Sequence, residues 1–391
     1  MTVIKARKTV VKAFAAVLAA VTFLCCFGCA KERDTEAAVD IDPPSATGYV
    51  HPTRPATPEP TSAATEPPRP AEKTPVPTPA QPPAIYSKSG TLHKYDSGLM
   101  RVDNAAFEPY GYVDEAAKLY AKIVGDTAAR LAGRTNVYSL IIPAAIGVTM
   151  PDDIIPKVSQ YEDMGACISK AFSYMPANVK TVNCFNTLMM HRSEYIYFRT
   201  DHHWTAYGAY FAYRSFMIKK GTVPYPLEMH EKVTFKNFLG TLYRSSGNDR
   251  ALLPADTIDA YYPVLPNIRM TVTYDEGVTK EVPIVYDADK LEGANKYCCF
   301  AGGDNPITVF ENPNVKDGSV LIVLKESFGN PLMAFLADHY SKIIEIDYRH
   351  YTAGSVIDLA IRENATDLLF ATSIGVVSSK SFLGKLAVVL R

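Results

Sequence analysis

The sequence predicts an α/β fold in which a parallel sheet is flanked by helices. From residue 86 onward, short apolar runs alternate with segments whose apolar residues recur every three or four positions. This alternation of strand and helix patterns is typical of a parallel sheet covered by helices. The chain has 391 residues, 47% of them apolar and 21% charged, so it can bury at least one full-sized core. The net charge of -1 argues against the basic surface of a nucleic-acid-binding protein.

The candidate strands and helices follow one another along the chain. Five apolar runs are candidate strands, at 137–143, 180–185, 320–325, 342–348 and 367–372. Four segments have helical periodicity, at 113–131, 204–219, 330–340 and 356–364. The stretch 222–310 departs from this order, because its period-two segments are joined by turn residues, and it is predicted to be a β-rich insertion. Ligands of such sheets bind beyond the carboxyl ends of the strands, where this insertion would shape a cleft.

The first 29 residues are predicted to direct export. Four basic residues precede an apolar stretch at 13–27, which is shorter than the roughly 20 residues of a membrane-spanning helix and fits a signal peptide. Residues 24–29 read LCCFGC and resemble a bacterial lipobox, which makes Cys29 the predicted lipidated residue. Cys26 stands where a lipobox usually has Leu, so ordinary cleavage and an uncleaved anchor remain alternatives.

Residues 30–85 are predicted to be a Pro-rich spacer. The part from 43 to 83 contains 14 of the 28 prolines and almost no large apolar residue, so it cannot form a core. Such a tract adopts extended polyproline conformations at about 3.1 Å per residue. The predicted domain at 86–391 would therefore stand away from the bacterial cell membrane, on its extracytoplasmic side. A Pro-rich ligand motif is the alternative interpretation.

The first segment with candidate catalytic residues lies at the start of the predicted helix at 204–219. Asp201, His202, His203 and Trp204 form a polar cluster with one aromatic residue, and Thr205 can cap the helix that follows. An Asp two residues before a His can hydrogen-bond its ring, which fixes the tautomer and stabilises the imidazolium. This pattern predicts a general base with its orienting acid.

The second segment places Ser327 between the strand at 320–325 and the next helix. A serine at such a turn has backbone N–H groups and the positive end of a helix dipole beside it, which favour a developing oxyanion. The arrangement matches a nucleophile elbow without the GxSxG signature. Together, Ser327, His203 and Asp201 are candidates for the nucleophile, base and acid of acyl transfer.

A metal site is the rival interpretation of the histidine cluster. It would use Asp201, His202 and His203 with His191 or His350. Adjacent histidines rarely bind one ion, and the sequence has no HExxH motif, so neither a metal nor another cofactor is predicted.

Five motifs give the chain a family resemblance. They are TDHHWT at 200–205, FAGGDNP at 300–306, ENPN at 311–314, LKESFGNP at 324–331 and IDYRHY at 346–351. They resemble the DHHW family of bacterial exported proteins over residues 86–391. This family is similar to the SGNH hydrolase-like domains of the alginate O-acetylation proteins, which carry a D-x-H-W motif and a later D-S-F motif. The resemblance implies a triad in the permuted order Asp201, His203, Ser327, with Glu326 in place of the usual Asp.

The resemblance also implies a function. The expected protein is a cell-envelope serine O-acyltransferase or esterase that acts on a surface or secreted polysaccharide. A multipass membrane O-acyltransferase would supply its acyl groups. A non-catalytic module that keeps the fold and binds glycan is the alternative, because no clear sequence block supplies the oxyanion Gly and Asn.

Five further residues are candidates for supporting roles. Asn330, Gly303 and Arg349 are candidates for oxyanion or substrate contacts. Their alternative roles are a helix cap for Asn330, a turn for Gly303, and a surface ion pair with Asp347 or Glu345 for Arg349. His202 is expected to support the reacting groups from behind. Trp204 is expected to pack beneath the histidine turn, with sugar stacking as its alternative.

Overall fold

The computed structural model describes residues 86–391 apart from 159, 160, 275 and 276. The predicted export segment with Cys29 and the predicted Pro-rich spacer lie outside these residues. Within the described part of the chain, no helix is both long enough and apolar enough to cross a membrane.

The described residues form thirteen strands and ten α-helices. The strands are β1 Leu92–Lys94, β2 Met100–Val102, β3 Ala105–Phe107, β4 Asn136–Ile142, β5 Val179–Val182, β6 Lys232–Phe238, β7 Asp256–Tyr261, β8 Arg269–Thr273, β9 Thr279–Val282, β10 Ile307–Glu311, β11 Val320–Lys325, β12 Lys342–Asp347 and β13 Asp367–Ser373. The helices are α1 Asp114–Arg130, α2 Ala145–Val148, α3 Met164–Ser173, α4 Phe185–Met190, α5 Ala206–Lys220, α6 Thr241–Ser245, α7 Met333–Leu336, α8 Val356–Arg362, α9 Ile374–Val377 and α10 Lys380–Val388.

A mixed sheet of eight of these strands forms the centre of the fold, in the order β5-β4-β13-β11-β12-β10-β8-β9. In this order, the first five strands, β5, β4, β13, β11 and β12, pair in parallel. Strand β10 pairs antiparallel with β12, and β8 and β9 continue the antiparallel edge. The predicted parallel sheet therefore accounts for five strands, and the other three make the sheet mixed.

Strand β11 lies in the interior of the sheet, between β13 and β12. All six of its residues are buried, as expected for a parallel strand with both faces covered. The last of them is Lys325, and Ser327 follows two residues later. The hydrophobic core thus fixes the end of β11 and, with it, the start of the turn that carries Ser327.

Three of the four predicted helices are present as α1, α5 and α8. The fourth prediction, at 330–340, is wrong in form, because this region is a 3-10 helix at Ser327–Leu332, then α7, then a 3-10 turn at Ala337–His339. Pro331 lies inside the first of these. A proline has no N–H to donate to a helical hydrogen bond, which is consistent with a tight, irregular start to this segment.

The segment 222–310 contributes strands to two different sheets. Strands β6 and β7 form a separate antiparallel pair, whereas β8, β9 and β10 extend the central sheet. The N-terminal strands β1, β2 and β3 form a third, small sheet. The Ala106 N–H on β3 donates to the Arg199 carbonyl at 2.8 Å, so this small sheet supports the chain just before Asp201.

The first turn of α5 makes a close contact that predicts the effect of a substitution. A Cβ atom at Gly208 would lie 2.3 Å from the Ile196 carbonyl oxygen. We expect Gly208→Ala to destabilise the protein by about 2 kcal/mol, because backbone must move to relieve such overlap. Thermal unfolding should show a Tm lower by several degrees.

Gly384→Ala is the matched control. Gly384 lies in α10 with no atom within 4 Å of its added Cβ, and alanine is favoured over glycine in a helix by about 1 kcal/mol. Its Tm should be unchanged or higher. Equal Tm values for the two variants would show that the contact at Gly208 is not restrictive.

Candidate active site

A chain of short hydrogen bonds joins Asp201, His203 and Ser327. His203 Nδ1 lies 2.6 Å from Asp201 Oδ1, and His203 Nε2 lies 2.8 Å from Ser327 Oγ. All three residues are buried. The fold therefore brings together two turns that are 124 positions apart in the chain.

The two turns belong to different parts of the fold. Asp201 and His203 lie in the loop before α5, which is closed by the hydrogen bond from the Phe198 N–H to the His203 carbonyl at 3.2 Å. Thr205 caps α5 by accepting from the Gly208 N–H. Ser327 is the first residue of the 3-10 helix that follows β11.

The Asp201 carboxylate receives four hydrogen bonds. Oδ1 accepts from the His203 N–H at 3.0 Å and from the His203 ring at 2.6 Å. Oδ2 accepts from the Thr241 N–H at 2.8 Å and from the Thr241 hydroxyl at 3.0 Å. Burial alone would raise the pKa of Asp201, but the charges of His203 and His202 and these hydrogen bonds hold that pKa well below its ordinary value. Asp201 is therefore an ionised hydrogen-bond acceptor that orients the His203 ring.

Glycine is required beside this carboxylate. A Cβ atom at Gly240 would lie 2.2 Å from the Asp201 Cβ and 2.4 Å from Oδ2. The absence of a side chain at Gly240 lets the Thr241 N–H approach Asp201. Thr241 and Gly240 were not among the sequence candidates, because no motif connects them with the histidine turn.

Asp256 fixes the same turn from the other side. It is fully buried at the start of β7. It accepts hydrogen bonds from the Arg199 and Thr200 N–H groups at 3.0 and 2.8 Å, from the Arg199 Nε at 3.0 Å, and from the Tyr195 hydroxyl at 2.7 Å. The backbone immediately before Asp201 is thereby held by the β6–β7 segment.

Aromatic side chains enclose the His203 ring. Tyr297 stacks on it with ring centroids 3.9 Å apart, and Phe328 lies at 4.8 Å. The Tyr297 hydroxyl also donates to the Ser327 carbonyl at 3.0 Å. Trp204 is fully buried and its indole N–H donates to the Phe328 carbonyl at 2.9 Å. These contacts tie the ring of His203 to the backbone around Ser327.

Glu326 connects the serine turn to the neighbouring strand. One carboxylate oxygen accepts from the Phe328 N–H at 3.0 Å, and the other accepts from the Ser373 N–H at 2.8 Å. The Ser327 Oγ lies 3.5 Å from Glu326. The carboxylate at this position therefore caps the 3-10 helix and fixes it to the end of β13.

A buried group of charges surrounds Lys325, directly before this turn. The Lys325 Nζ lies 2.5 Å from Asn330 Oδ1 and 3.3–3.5 Å from carboxylate oxygens of Glu345, Asp304 and Asp347. Burial alone would lower the pKa of Lys325, but these three carboxylates raise it above its ordinary value. The signal that sequence reasoning missed was a lysine that closes an otherwise apolar strand.

The three candidates for oxyanion or substrate contacts lie at this charged group. The Asn330 amide donates to Asp304 at 3.0 Å while its oxygen accepts from Lys325. Arg349 pairs with Asp347 at 2.5 Å and with Asp304 at 2.8 Å, and its side chain is buried. Gly303 has a positive φ of 84° and its N–H donates to the Phe300 carbonyl at 3.0 Å.

His202 is next to the chain of hydrogen bonds without belonging to it. Its ring centroid lies 3.8 Å from that of His203, and its Nδ1 lies 2.7 Å from the Thr241 hydroxyl. Asp201, His202 and His203 each offer a ligand atom within 4.8 Å of the others. However, both ring nitrogens of His203 and both oxygens of Asp201 already take part in hydrogen bonds. This geometry serves proton transfer better than metal binding.

Glu345 predicts a pH dependence of stability. Both of its carboxylate oxygens are buried without a hydrogen bond, and burial raises its pKa from 4.5 to about 7, against the effect of the Lys325 ammonium. The folded protein therefore binds a proton that the unfolded chain has lost, and this contribution disappears as the pH rises from 4.5 to about 7. Over that pH range, we expect the free energy of unfolding of Glu345→Gln to rise by about 3 kcal/mol relative to that of the unchanged protein.

Urea unfolding at pH 5 and pH 8 measures this change. Glu311→Gln is the control, since Glu311 is an exposed carboxylate paired with Arg269, and its difference from the unchanged protein should not vary in this way. A constant difference for Glu345→Gln across the range would contradict a raised pKa at Glu345.

Comparisons with known proteins agree with this architecture. Residues 87–346 match the family model described as DHHW protein. The crystal structure of a DHHW family protein from Eubacterium siraeum DSM 15702 is 24% identical, with a TM-score of 0.69, and the match covers 77% of this chain and 99% of that one. Bacillus cereus PatB1 with a sulfonyl adduct is 18% identical, with a TM-score of 0.59 and coverage of 75% and 97%.

Two further comparisons add less. The O-acetyltransferase domain of Pseudomonas putida AlgJ is 12% identical over 76% of this chain and 99% of that one, but its TM-score of 0.38 is too low to support an inference. No curated protein gives a significant match. Because the family model spans 260 of the 391 residues, from 87 to 346, this chain belongs to the DHHW family.

Proposed function

We propose that this protein is an exported serine acyl-transfer enzyme of the bacterial cell envelope. It acts as an O-acyltransferase or esterase on a surface or secreted polysaccharide. The observation that carries the proposal is the continuous chain of hydrogen bonds from Asp201 through His203 to Ser327, at 2.6 and 2.8 Å. Nucleophile and base at hydrogen-bond distance, with the base oriented by a third group, is the arrangement of covalent catalysis.

The direction of proton transfer follows from the hydrogen bonds. The ionised Asp201 accepts a hydrogen bond from His203 Nδ1, so the neutral form of the ring carries its lone pair on Nε2. Nε2 takes the proton from Ser327 Oγ as Oγ forms a bond to the acyl carbon. The imidazolium then protonates the leaving oxygen of the acyl donor, which leaves the acyl group on Ser327. A sugar hydroxyl or water reverses these steps, and His203 returns the proton to Ser327.

The position of Ser327 supports stabilisation of the tetrahedral intermediate. Ser327 begins a 3-10 helix, in which the Phe328 N–H donates to the Glu326 carboxylate and the Gly329 N–H donates to the Glu326 carbonyl. The Ser327 N–H is therefore the candidate donor of this turn, and an N–H group at a helix start favours negative charge that develops on the carbonyl oxygen.

Substrate class and location rest on three observations of different kinds. The motifs resemble those of envelope O-acetylation proteins, and an export-like segment with a Pro-rich stretch precedes the domain. PatB1, which shares the fold, has been seen with a sulfonyl adduct, the product expected when a sulfonylating reagent meets a nucleophile. Lipid anchoring at Cys29 and a membrane O-acyltransferase as acyl source complete the proposal.

Covalent labelling tests whether Ser327 is an activated nucleophile. We expect phenylmethylsulfonyl fluoride to modify the full-length protein at Ser327, and p-nitrophenyl acetate to be hydrolysed. Ser327→Ala should abolish the labelling and lower hydrolysis by at least about 10³-fold, because the covalent intermediate cannot form. Peptide mass spectrometry locates the adduct.

Ser215→Ala is the control for this experiment. Ser215 lies in α5, where its hydroxyl bonds the Phe211 carbonyl, and its removal should leave labelling and hydrolysis unchanged. If the unchanged protein were not labelled but still bound polysaccharide, the non-catalytic glycan-binding alternative would replace the proposal.

Asp201→Asn tests the role of the acid. An amide at this position can donate to His203 Nδ1, which moves the ring proton to Nε2 and removes the acceptor for Ser327. We expect kcat for p-nitrophenyl acetate to fall by at least about 10²-fold. Asp249→Asn is the control, since Asp249 accepts hydrogen bonds from Tyr95 and Arg101 rather than from the histidine turn. A kcat close to that of the unchanged protein would remove Asp201 from the mechanism.

A further inference from the structure

His202 presents an unused hydrogen-bonding atom beside the reacting groups. Its ring is tilted by 37° against that of His203 at a centroid distance of 3.8 Å, and it also contacts Phe328 at 5.8 Å. About 9% of its side chain remains exposed. The histidine before the proposed base is thus largely buried but keeps a small exposed fraction of its side chain.

Asp201 sets the tautomer of His202 as well as that of His203. The Thr241 hydroxyl has one proton, and at 3.0 Å it faces an ionised carboxylate oxygen of Asp201, which can only accept. The hydroxyl therefore donates to Asp201 and must accept from His202 Nδ1, which lies 2.7 Å away. His202 Nδ1 carries the proton, and Nε2 of the neutral ring carries the lone pair.

Within the described part of the chain, no protein group uses that lone pair. Among residues 86–391 apart from the four that are not described, no hydrogen bond reaches His202 Nε2, and this atom is not among the buried polar atoms without a partner. Nε2 is consequently available to accept a hydrogen bond from a ligand. Burial lowers the pKa of His202 and the nearby His203 lowers it further, whereas the carboxylates of Asp201, Glu108 and Glu326 oppose this shift, and the pKa of His202 lies below its ordinary value.

A second unsatisfied acceptor lies near the His202 ring. The Glu108 carboxylate is close enough to act electrostatically on the His202 ring, and its Oε1 is buried without a hydrogen-bond partner. Unpaired buried acceptors are costly and favour a ligand that supplies donors. A carbohydrate offers several hydroxyl donors on adjacent carbons.

We infer that His202 Nε2 accepts a hydrogen bond from a sugar hydroxyl vicinal to the one that gains or loses the acyl group. The reacting hydroxyl must exchange its proton with His203 Nε2, so it is not available to His202. The centroids of the two rings lie 3.8 Å apart, which is close enough for both rings to contact neighbouring hydroxyls of one pyranose. This inference rests on the proposed function and makes His202 a specificity-determining residue for a sugar with a free vicinal hydroxyl.

Two substrates with the same acyl group test the assignment on the full-length protein. One is p-nitrophenyl acetate, which has no hydroxyl, and the other is a methyl glucopyranoside with a single O-acetyl group and free neighbouring hydroxyls. His202→Asn keeps an N–H near the Nδ1 position for Thr241 but has no acceptor at the Nε2 position. His202→Gln reaches far enough to place its amide oxygen near the Nε2 position.

The expected result is a selective loss for the sugar ester. In His202→Asn, kcat/KM for the acetylated glucoside should fall about tenfold, because one hydrogen bond to the alcohol part is lost. Hydrolysis of p-nitrophenyl acetate should fall by a clearly smaller factor in the same variant, because His202 reaches Asp201 only through the Thr241 hydroxyl. His202→Gln should recover part of the activity on the sugar ester. The ratio of the two kcat/KM values does not depend on the fraction of folded enzyme.

Three results would overturn the assignment. The first is an equal loss of kcat/KM on both substrates, which would mean that His202 acts only by supporting Asp201 through Thr241. The second is no loss on either substrate. The third is an unchanged protein that hydrolyses the aryl ester but not the acetylated glucoside. Sulfonyl labelling separates this question from the proposed function. If Ser327 is labelled and the sugar discrimination is unaltered, only the role of His202 fails, whereas an unlabelled Ser327 defeats the proposed function itself.

Discussion

The site depends on the solvation of one buried carboxylate. An ionised group removed from water is costly unless hydrogen bonds replace its hydration. Asp201 receives two of its four hydrogen bonds from His203 and two from Thr241. The loop before α5 and the start of α6 can therefore separate only by leaving a charge without partners, which fixes their relative position more strictly than apolar contacts would.

Two other polar groups fix the remaining parts of the site. Asp256 holds the backbone before Asp201, and the charges around Lys325 hold the strand end before Ser327. Apolar packing tolerates some sliding, whereas a buried polar network is satisfied in few arrangements. The distance of 2.8 Å between His203 and Ser327 is consequently a property of the folded protein before any substrate binds, and the proposed acyl transfer would need such preorganisation.

The sequence indicates the parts of this site that lie close together in the chain. The Asp-x-His spacing, the apolar strand β11 and the serine after it are local patterns, and each predicts an element that the structure contains. Thr241, Asp256 and Tyr297 have no comparable signal, because each acts on residues 30 to 57 positions away. The edge strands β8 to β10 show the same limit, since alternating residues indicate strands but not which sheet they join. Arg349 was a candidate for oxyanion or substrate contacts, with a surface ion pair as the alternative, and it pairs with Asp347 in a buried group.

The position of β13 shows that the fold extends beyond the region matched by the family model. The family match stops at residue 346, yet β13 at Asp367–Ser373 lies between β4 and β11 in the middle of the sheet. The Ser373 N–H also donates to Glu326, next to the serine. A fragment cut at the end of the matched region would expose two interior strand edges and leave a buried carboxylate oxygen without its donor. The last part of the chain therefore completes both the central sheet and the candidate active site, although the region matched by the family model does not include it.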